Sequence, residues 1–528
     1  IASTANETPS DGNLAVLTAI FSRYYRLFGV PIIGALLVLL VCFEVSGLTD
    51  NHEFRHSAAN GIQRPTVDTA FRTWLTSRKD LDAYKAAGKP YPVYVVAAEG
   101  GGLYAAYQTA KFLARMQDVC PNFAQHVFTV SSVSGGSLGA AVFAGLTRQF
   151  GSNDVAKPCV ATPAERGPLE TRAERILSRD MLAPVVWGGL FPDFLQRFVP
   201  YPFPAFDRAR ALEQAFEEAW KFGAAGTPNP LSRSLFELCA GNGEACLKGA
   251  TPYLAFNVAN VETGMQMVLS PLDFTSIGQP WTGSAKAFDF FSTGVDPVDI
   301  PLSTAIGLSA RFPWISPSGW YAFVDPSEKD QSNGRRRRMT FVDGAYVDNS
   351  GVSTASKLAQ SMAELHAKDP SLPPVEIKLI MISAAWIPFD RFWMDEPNDR
   401  KQSDIFSPLV AALATWQGRG FTMQYDTATD PRPGFNVVEA GVYYNFLPLP
   451  VGWQLSKLSR DYIDLFKGHP DKCDESNLDR SLQSHAALAS TYINRANCVA
   501  VRISRDLTPA PAAATPSPVR MRAITPAN

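Results

Sequence analysis

The chain of 528 residues is 46% hydrophobic and 19% charged, with a formal net charge of −2. That length holds one large domain or several ordinary ones with ample core, and so slight a charge excludes a global positive field for nucleic acid. The six histidines are scattered and no HExxH or CxxC spacing occurs, which argues against a metal centre and implies no cofactor.

The first feature in chain order is apolar. Leu27 to Phe43 is an uncharged run, closed by Glu44 and continued by Val45–Leu48, with Arg23, Tyr24, Tyr25 and Arg26 before it. A bilayer-crossing helix takes about 17–25 apolar residues and carries a cationic, aromatic collar on its cytoplasmic side. Residues 1–22 therefore read as a flank and 23–48 as an N-terminal transmembrane anchor. A buried core helix and a signal-peptide core are the other readings. With Arg23 and Arg26 inside, everything beyond residue 48 is extracytoplasmic, on the periplasmic or lumenal side.

Cysteine usage points the same way. Cys42 lies in the apolar run and six more follow it. Nearest-neighbour bridging joins Cys120 to Cys159, Cys239 to Cys246 and Cys473 to Cys498, which suits an oxidising compartment. Six free thiols in a reducing one is the alternative.

Beyond the anchor, residues 67–86 predict a helix and 92–99 a strand buried on both faces. Residues 99–102, Glu-Gly-Gly-Gly, form a permissive loop before a helix over 103–117. A second buried strand is predicted over 126–132, then a tight turn at Ser134 and a helix to about 149. Further strands are predicted at 252–260, 265–272, 339–343, 377–385 and 498–504. This alternation predicts an α/β domain over 60–505 with a mostly parallel central sheet. The Pro- and Ala-rich residues 506–528 predict a disordered tail.

Three places carry chemistry. Ser132-Val133-Ser134-Gly135-Gly136 stands between a strand and a helix, close to the G-x-S-x-G elbow that exposes a nucleophilic serine. The glycines at 100–102 open a helix, where free N–H groups suit an anion or a developing oxyanion. Asp343-Gly344-Ala345 ends a predicted strand, so its carboxylate can be aimed into a site, although an ordinary Asp-Gly turn looks the same. Asp348 is a second possible base, and His485 is the one late-chain histidine suited to a Ser-His-Asp triad.

In this order the motifs resemble the patatin-like phospholipase family, which shares its serine–aspartate dyad with the cytosolic phospholipases A2. "STAIGLSARFPWISP" (303–317) is similar to a further stretch of that family. The likeness covers about residues 90–385, with Tyr104 and Ala105 where the family carries a basic residue. The resemblance implies a three-layer sandwich in which Asp343 takes the proton from Ser134. Gly100, Gly101, Gly102 and Gly135 then supply the oxyanion hole, and Tyr104, Trp187, Phe191 and Phe312 contact substrate. It implies a membrane-anchored lipid acyl hydrolase whose partners are a lipid or long-chain ester and the membrane. A non-catalytic lipid-binding scaffold and an acyltransferase are the alternatives. The long interval between serine and aspartate predicts a cap over about 150–300. The aromatic residues of 181–206 read as a lid or interfacial surface, or as ordinary core.

Overall fold

Continuous apolar runs become strands with both faces covered, and more polar segments become partly exposed strands towards the sheet's edges. In the computed structural model these are β1 (Tyr91–Ala98), β2 (Val127–Ser132), β3 (Tyr253–Asn260), β4 (Gln266–Leu269), β5 (Gly319–Val324), β6 (Arg336–Asp343), β7 (Val375–Ile382) and β8 (Asn436–Glu439). The structure describes chiefly residues 32–59, 62–151, 166–239, 244–249, 251–275, 289–292, 298–312, 315–324, 336–383, 434–440, 452–465 and 495–509. The chain divides into two compact units, residues 52–186 with 208–528, and residues 1–51 with 187–207.

The larger unit is a mixed α/β domain with a parallel-rich sheet, in the order β8-β7-β1-β2-β3-β6-β5. The pairs from β8 to β3 are parallel, whereas β6 joins β3 and β5 antiparallel, and β4 also pairs with β3 antiparallel. Alternation along β1 sends Val93, Val95 and Ala97 into one core and Tyr94, Val96 and Ala98 into another. The second core is shared with α1 (Gly102–Val119) and α2 (Gly135–Phe150), and with α3 (Leu302–Ser309). The first core is shared with helix Val67–Thr76 and with α4 (Val352–Lys368). Helices therefore cover both faces, giving three layers.

Several expectations need correction. The helix predicted over 67–86 is two, Val67–Thr76 and Leu81–Ala86. Between them Arg78 is buried and donates to the carbonyls of Trp74, Gln125 and Gly249, a long-range demand with no local breaker residue. The strand predicted at 498–504 lies in the helix Arg495–Asp506. There Val499, Ile503 and Leu507 are buried at a spacing of four, so the helical period outweighs the β-branched content. Strands β5 and β8 were not predicted, and the interval 150–300 contributes β3 and β4 to the sheet as well as helices such as Pro168–Leu177 and Arg208–Gly223. The tail does not begin at 506. Asp506 accepts from Lys378 Nζ at 2.7 Å and Tyr94 at 3.2 Å; residues from 510 on lie outside the described residues.

Disulfides join Cys120 to Cys159 and Cys239 to Cys246, whereas the pair Cys473–Cys498 reaches outside the described residues. In the smaller unit the apolar run forms the helix Ile32–Ser46. Among the described residues no helix is long and apolar enough to cross a membrane. These 15 residues span about 22 Å at 1.5 Å each, against about 30 Å of hydrocarbon. Residues 24–31 of the expected anchor lie outside the described residues.

Lys378 is buried with one further carboxylate, Glu376, at 3.1 Å. Asp506→Ala is therefore expected to lower the unfolding free energy by about 2 kcal/mol, read as a shift of the urea midpoint.

Candidate functional site

The site is built where two strands share one edge of β3. Strand β2 pairs with β3 as far as Ser132 opposite Phe256. Strand β6 takes over the same edge at Asp343 opposite Val258, while β4 occupies the other edge. The end of the serine strand and the end of the aspartate strand are thus brought together despite their distance in the chain.

Asn257 fills the gap between them. Its Nδ2 donates to Ser131 Oγ and to the Ser132 carbonyl, both at 3.0 Å. Its Oδ1 accepts from Thr354 Oγ1 at 2.6 Å and Gln266 Nε2 at 2.8 Å. Its carbonyl accepts from Ser309 Oγ at 2.7 Å. One buried amide thus ties β2, β3, β4, α3 and α4 together. The sequence offers no local signal for it, because every partner but Gln266 is remote in the chain.

Ser134 follows β2 and precedes α2 with φ 51° and ψ −124°. It is the one non-glycine residue with positive φ among the described residues, a conformation that costs about 1–3 kcal/mol unless the surroundings impose it. They do: its N–H donates to the carbonyl and hydroxyl oxygens of Ser309, both at 3.1 Å. The glycines after it are required by close approach. A Cβ at Gly135 would lie 1.8 Å from the Gly102 carbonyl oxygen, and one at Gly136 would lie 2.5 Å from that of Glu99. The elbow is therefore pressed against the loop that ends β1.

Asp343 is fully buried. Its Oδ1 accepts from Ala345 N–H at 2.9 Å, and its own N–H donates to the Arg311 carbonyl at 3.2 Å. Burial pushes its pKa from 3.8 up to about 7, moderated by the Ala345 N–H and by the Ser134 hydroxyl as a donor. Oδ2 is buried without a partner of good geometry, which leaves it as the acceptor nearest in kind to a base. Gly344 is needed because a Cβ there would come within 2.2 Å of the Asn257 carbonyl oxygen. Tyr346 titrates above its ordinary range through burial and then the charge of Asp343.

The expected oxyanion donors divide. Gly100 N–H donates to the Asn349 carbonyl at 2.8 Å, so it is committed and drops out. Gly101 and Gly102, with φ 149° and 68°, and Gly135 stand at helix N-termini, where N–H groups have no intrahelical acceptor. Tyr104 is buried, its ring against Gly101. Phe312 is half-buried in the turn after α3, next to Arg311. Trp187 and Phe191 belong to the smaller unit, where both are exposed. Asp348 is engaged by the N–H groups of Ser350 at 2.8 Å and Ser353 at 2.9 Å, which makes it an organiser of the entry to α4 rather than a base. His485 lies outside the described residues.

Gly344→Ala should cost about 3 kcal/mol of stability through overpacking. Gly264→Ala, with open space at the Cβ but φ 65°, should cost only about 1 kcal/mol. Urea unfolding of both variants checks the contrast.

No family model and no curated protein matches the chain. Among solved structures it is similar to human GIVD cytosolic phospholipase A2, with 13% identity over 86% of this chain and 68% of that one, at a TM-score of 0.37. The same enzyme in complex with methyl gamma-linolenyl fluorophosphonate matches at 13% identity over 86% and 65%, with a TM-score of 0.34. VipD from Legionella pneumophila matches at 12% identity over 79% and 75%, with a TM-score of 0.23.

Proposed function

We propose that the chain is a lipid acyl hydrolase working through a Ser134–Asp343 dyad. The observation that carries this reading is a serine held at φ 51° together with a buried carboxyl raised to about 7, whose charged form the Ser134 hydroxyl favours. A serine hydroxyl is a weak nucleophile until a base takes its proton, and a carboxylate near its ordinary 3.8 is too weak a base at neutral pH. Desolvation supplies the missing basicity.

In the proposed reaction Asp343 accepts the Ser134 proton as Oγ attacks the ester carbonyl. The developing oxyanion rests on the N–H groups of Gly101, Gly102 and Gly135. Asp343 then protonates the departing alcohol, and water, activated by the same carboxylate, releases the acyl group from Ser134. The apolar helix Ile32–Ser46 holds the chain at a membrane in this reading. The two disulfides support an extracytoplasmic catalytic unit.

Ser134→Ala should lower kcat/KM on a short soluble ester by at least about 10⁴-fold, and Asp343→Asn by at least about 10³-fold. Full turnover in both variants would overturn the dyad. Activity requires the ionised carboxylate, so kcat/KM should rise with pH through an inflection at about 7.

Stability should move the opposite way. A carboxyl raised from 3.8 to about 7 binds more protons folded than unfolded. Its contribution is fully present below the unfolded pKa and is lost as pH rises through the folded one. Asp343→Asn removes that loss, so the inactive variant should melt above the wild type at about pH 8 and converge with it in acid.

A further inference from the structure

Residues 187–198 are amphipathic with the wrong side out. Helical backbone runs through Leu182–Leu190 and Pro192–Gln196. It is continued across the joint by Phe191 N–H to the Trp187 carbonyl at 3.1 Å and Leu195 N–H to the Phe191 carbonyl at 2.8 Å. At helical spacing, Trp187, Leu190, Phe191, Phe194, Leu195 and Phe198 are all exposed, Trp187 at 60% and Phe194 at 55%. Of the polar residues on the same turns, Asp193 at 2% and Gln196 at 0% are covered, and Arg197 is half-buried. Gln196 is held there by donating to the carbonyls of Val199 and Tyr201 and accepting from Phe203 N–H.

The helix Ile32–Ser46 in the same unit also turns apolar side chains outward. Its residues 35–39 are exposed one after another, more than one full turn at 3.6 residues, so apolar side chains face outward on every side. The two pieces are one surface: Arg197 pairs with Glu44, and Asn51 Nδ2 donates to the Phe203 carbonyl at 3.2 Å.

We infer that this unit is a bilayer-insertion module in which segment 187–198 enters the acyl-chain boundary beside the helix Ile32–Ser46. A partner protein would cover one face of a helix; only a surrounding apolar solvent covers all of them. The aromatic residues suit the interfacial depth, with the Trp187 indole, and the phenol of exposed Tyr201 just beyond the segment, able to keep their polar ends at the headgroups. The inference rests on the lipid-surface reading above and not on the dyad.

The test uses the full chain reconstituted in phosphatidylcholine vesicles with brominated acyl chains. Tryptophan quenching in wild type is expected to exceed that in Trp187→Phe, the difference reporting the depth of residue 187 alone. The triple variant Phe194→Ser, Leu195→Ser, Phe198→Ser should reduce that quenching. Its rate on a vesicle-borne ester should fall at least about tenfold, while its rate on a soluble short ester stays at the wild-type level. Identical quenching in wild type and Trp187→Phe would overturn the inference. So would a dimer in sedimentation whose dissociation exposes the segment, since a second copy would then be the occupant. Quenching needs no turnover, so a failed dyad and a failed insertion module give different results.

Discussion

A carboxyl buried without a counter-charge is the constraint on which the site depends. Among the described residues Asp343 is moderated by two neutral donors, the Ala345 N–H and the Ser134 hydroxyl. An arginine or lysine in that position would lower the pKa and remove the basicity. An imidazole placed between serine and aspartate would take the proton instead. Removing the carboxylate from water achieves base strength directly, and the fold gives up stability at neutral pH to do so.

Such a carboxyl must be held from every side but one. Asp343 is fixed through its peptide by Arg311 and through Oδ1 by Ala345. Ser134 is fixed through its peptide by Ser309. Ser309 in turn hangs on the Asn257 carbonyl, the atom against which Gly344 packs. Both members of the proposed dyad thus refer to one residue on the central strand. Cooperative polar networks of this kind fix geometry better than separate contacts, provided each member is satisfied, and each polar group of the Asn257 amide has a partner.

The strand–turn–helix around Ser134 and the glycines at 100–102 were legible because their signals are local: buried apolar runs on one side, and small residues where backbones meet. The aspartate was legible only by its place at a strand end. Asn257 was not, because an asparagine inside an apolar strand carries no mark of its partners, four of the five remote in the chain. The loss of Gly100 as an oxyanion donor was equally hidden, since it depends on the Asn349 carbonyl some 250 positions away. At residues 498–504 a short β-branched stretch obscured a helical period that spans a longer window. At residues 77–80 the helix yields to Arg78, whose guanidinium also reaches the remote carbonyls of Gln125 and Gly249.

The aromatic segment shows a different limit. Trp187, Phe191, Phe194 and Phe198 have the composition of a substrate lid, a core helix or a membrane-facing surface alike, because hydrophobic content is the same in all three. What separates them is the fate of the polar residues between. In a core helix Asp193 and Gln196 would face water, and in a lid they would do so once it opened. Here they are the buried ones, and Gln196 uses three hydrogen bonds to close its own loop. An amide satisfied inside the unit gains nothing from an aqueous surface, whereas six apolar side chains left outside lose by it. That sign, polar in and apolar out, is the arrangement stable in hydrocarbon rather than in water, and it is set by side-chain direction, which a composition profile averages away.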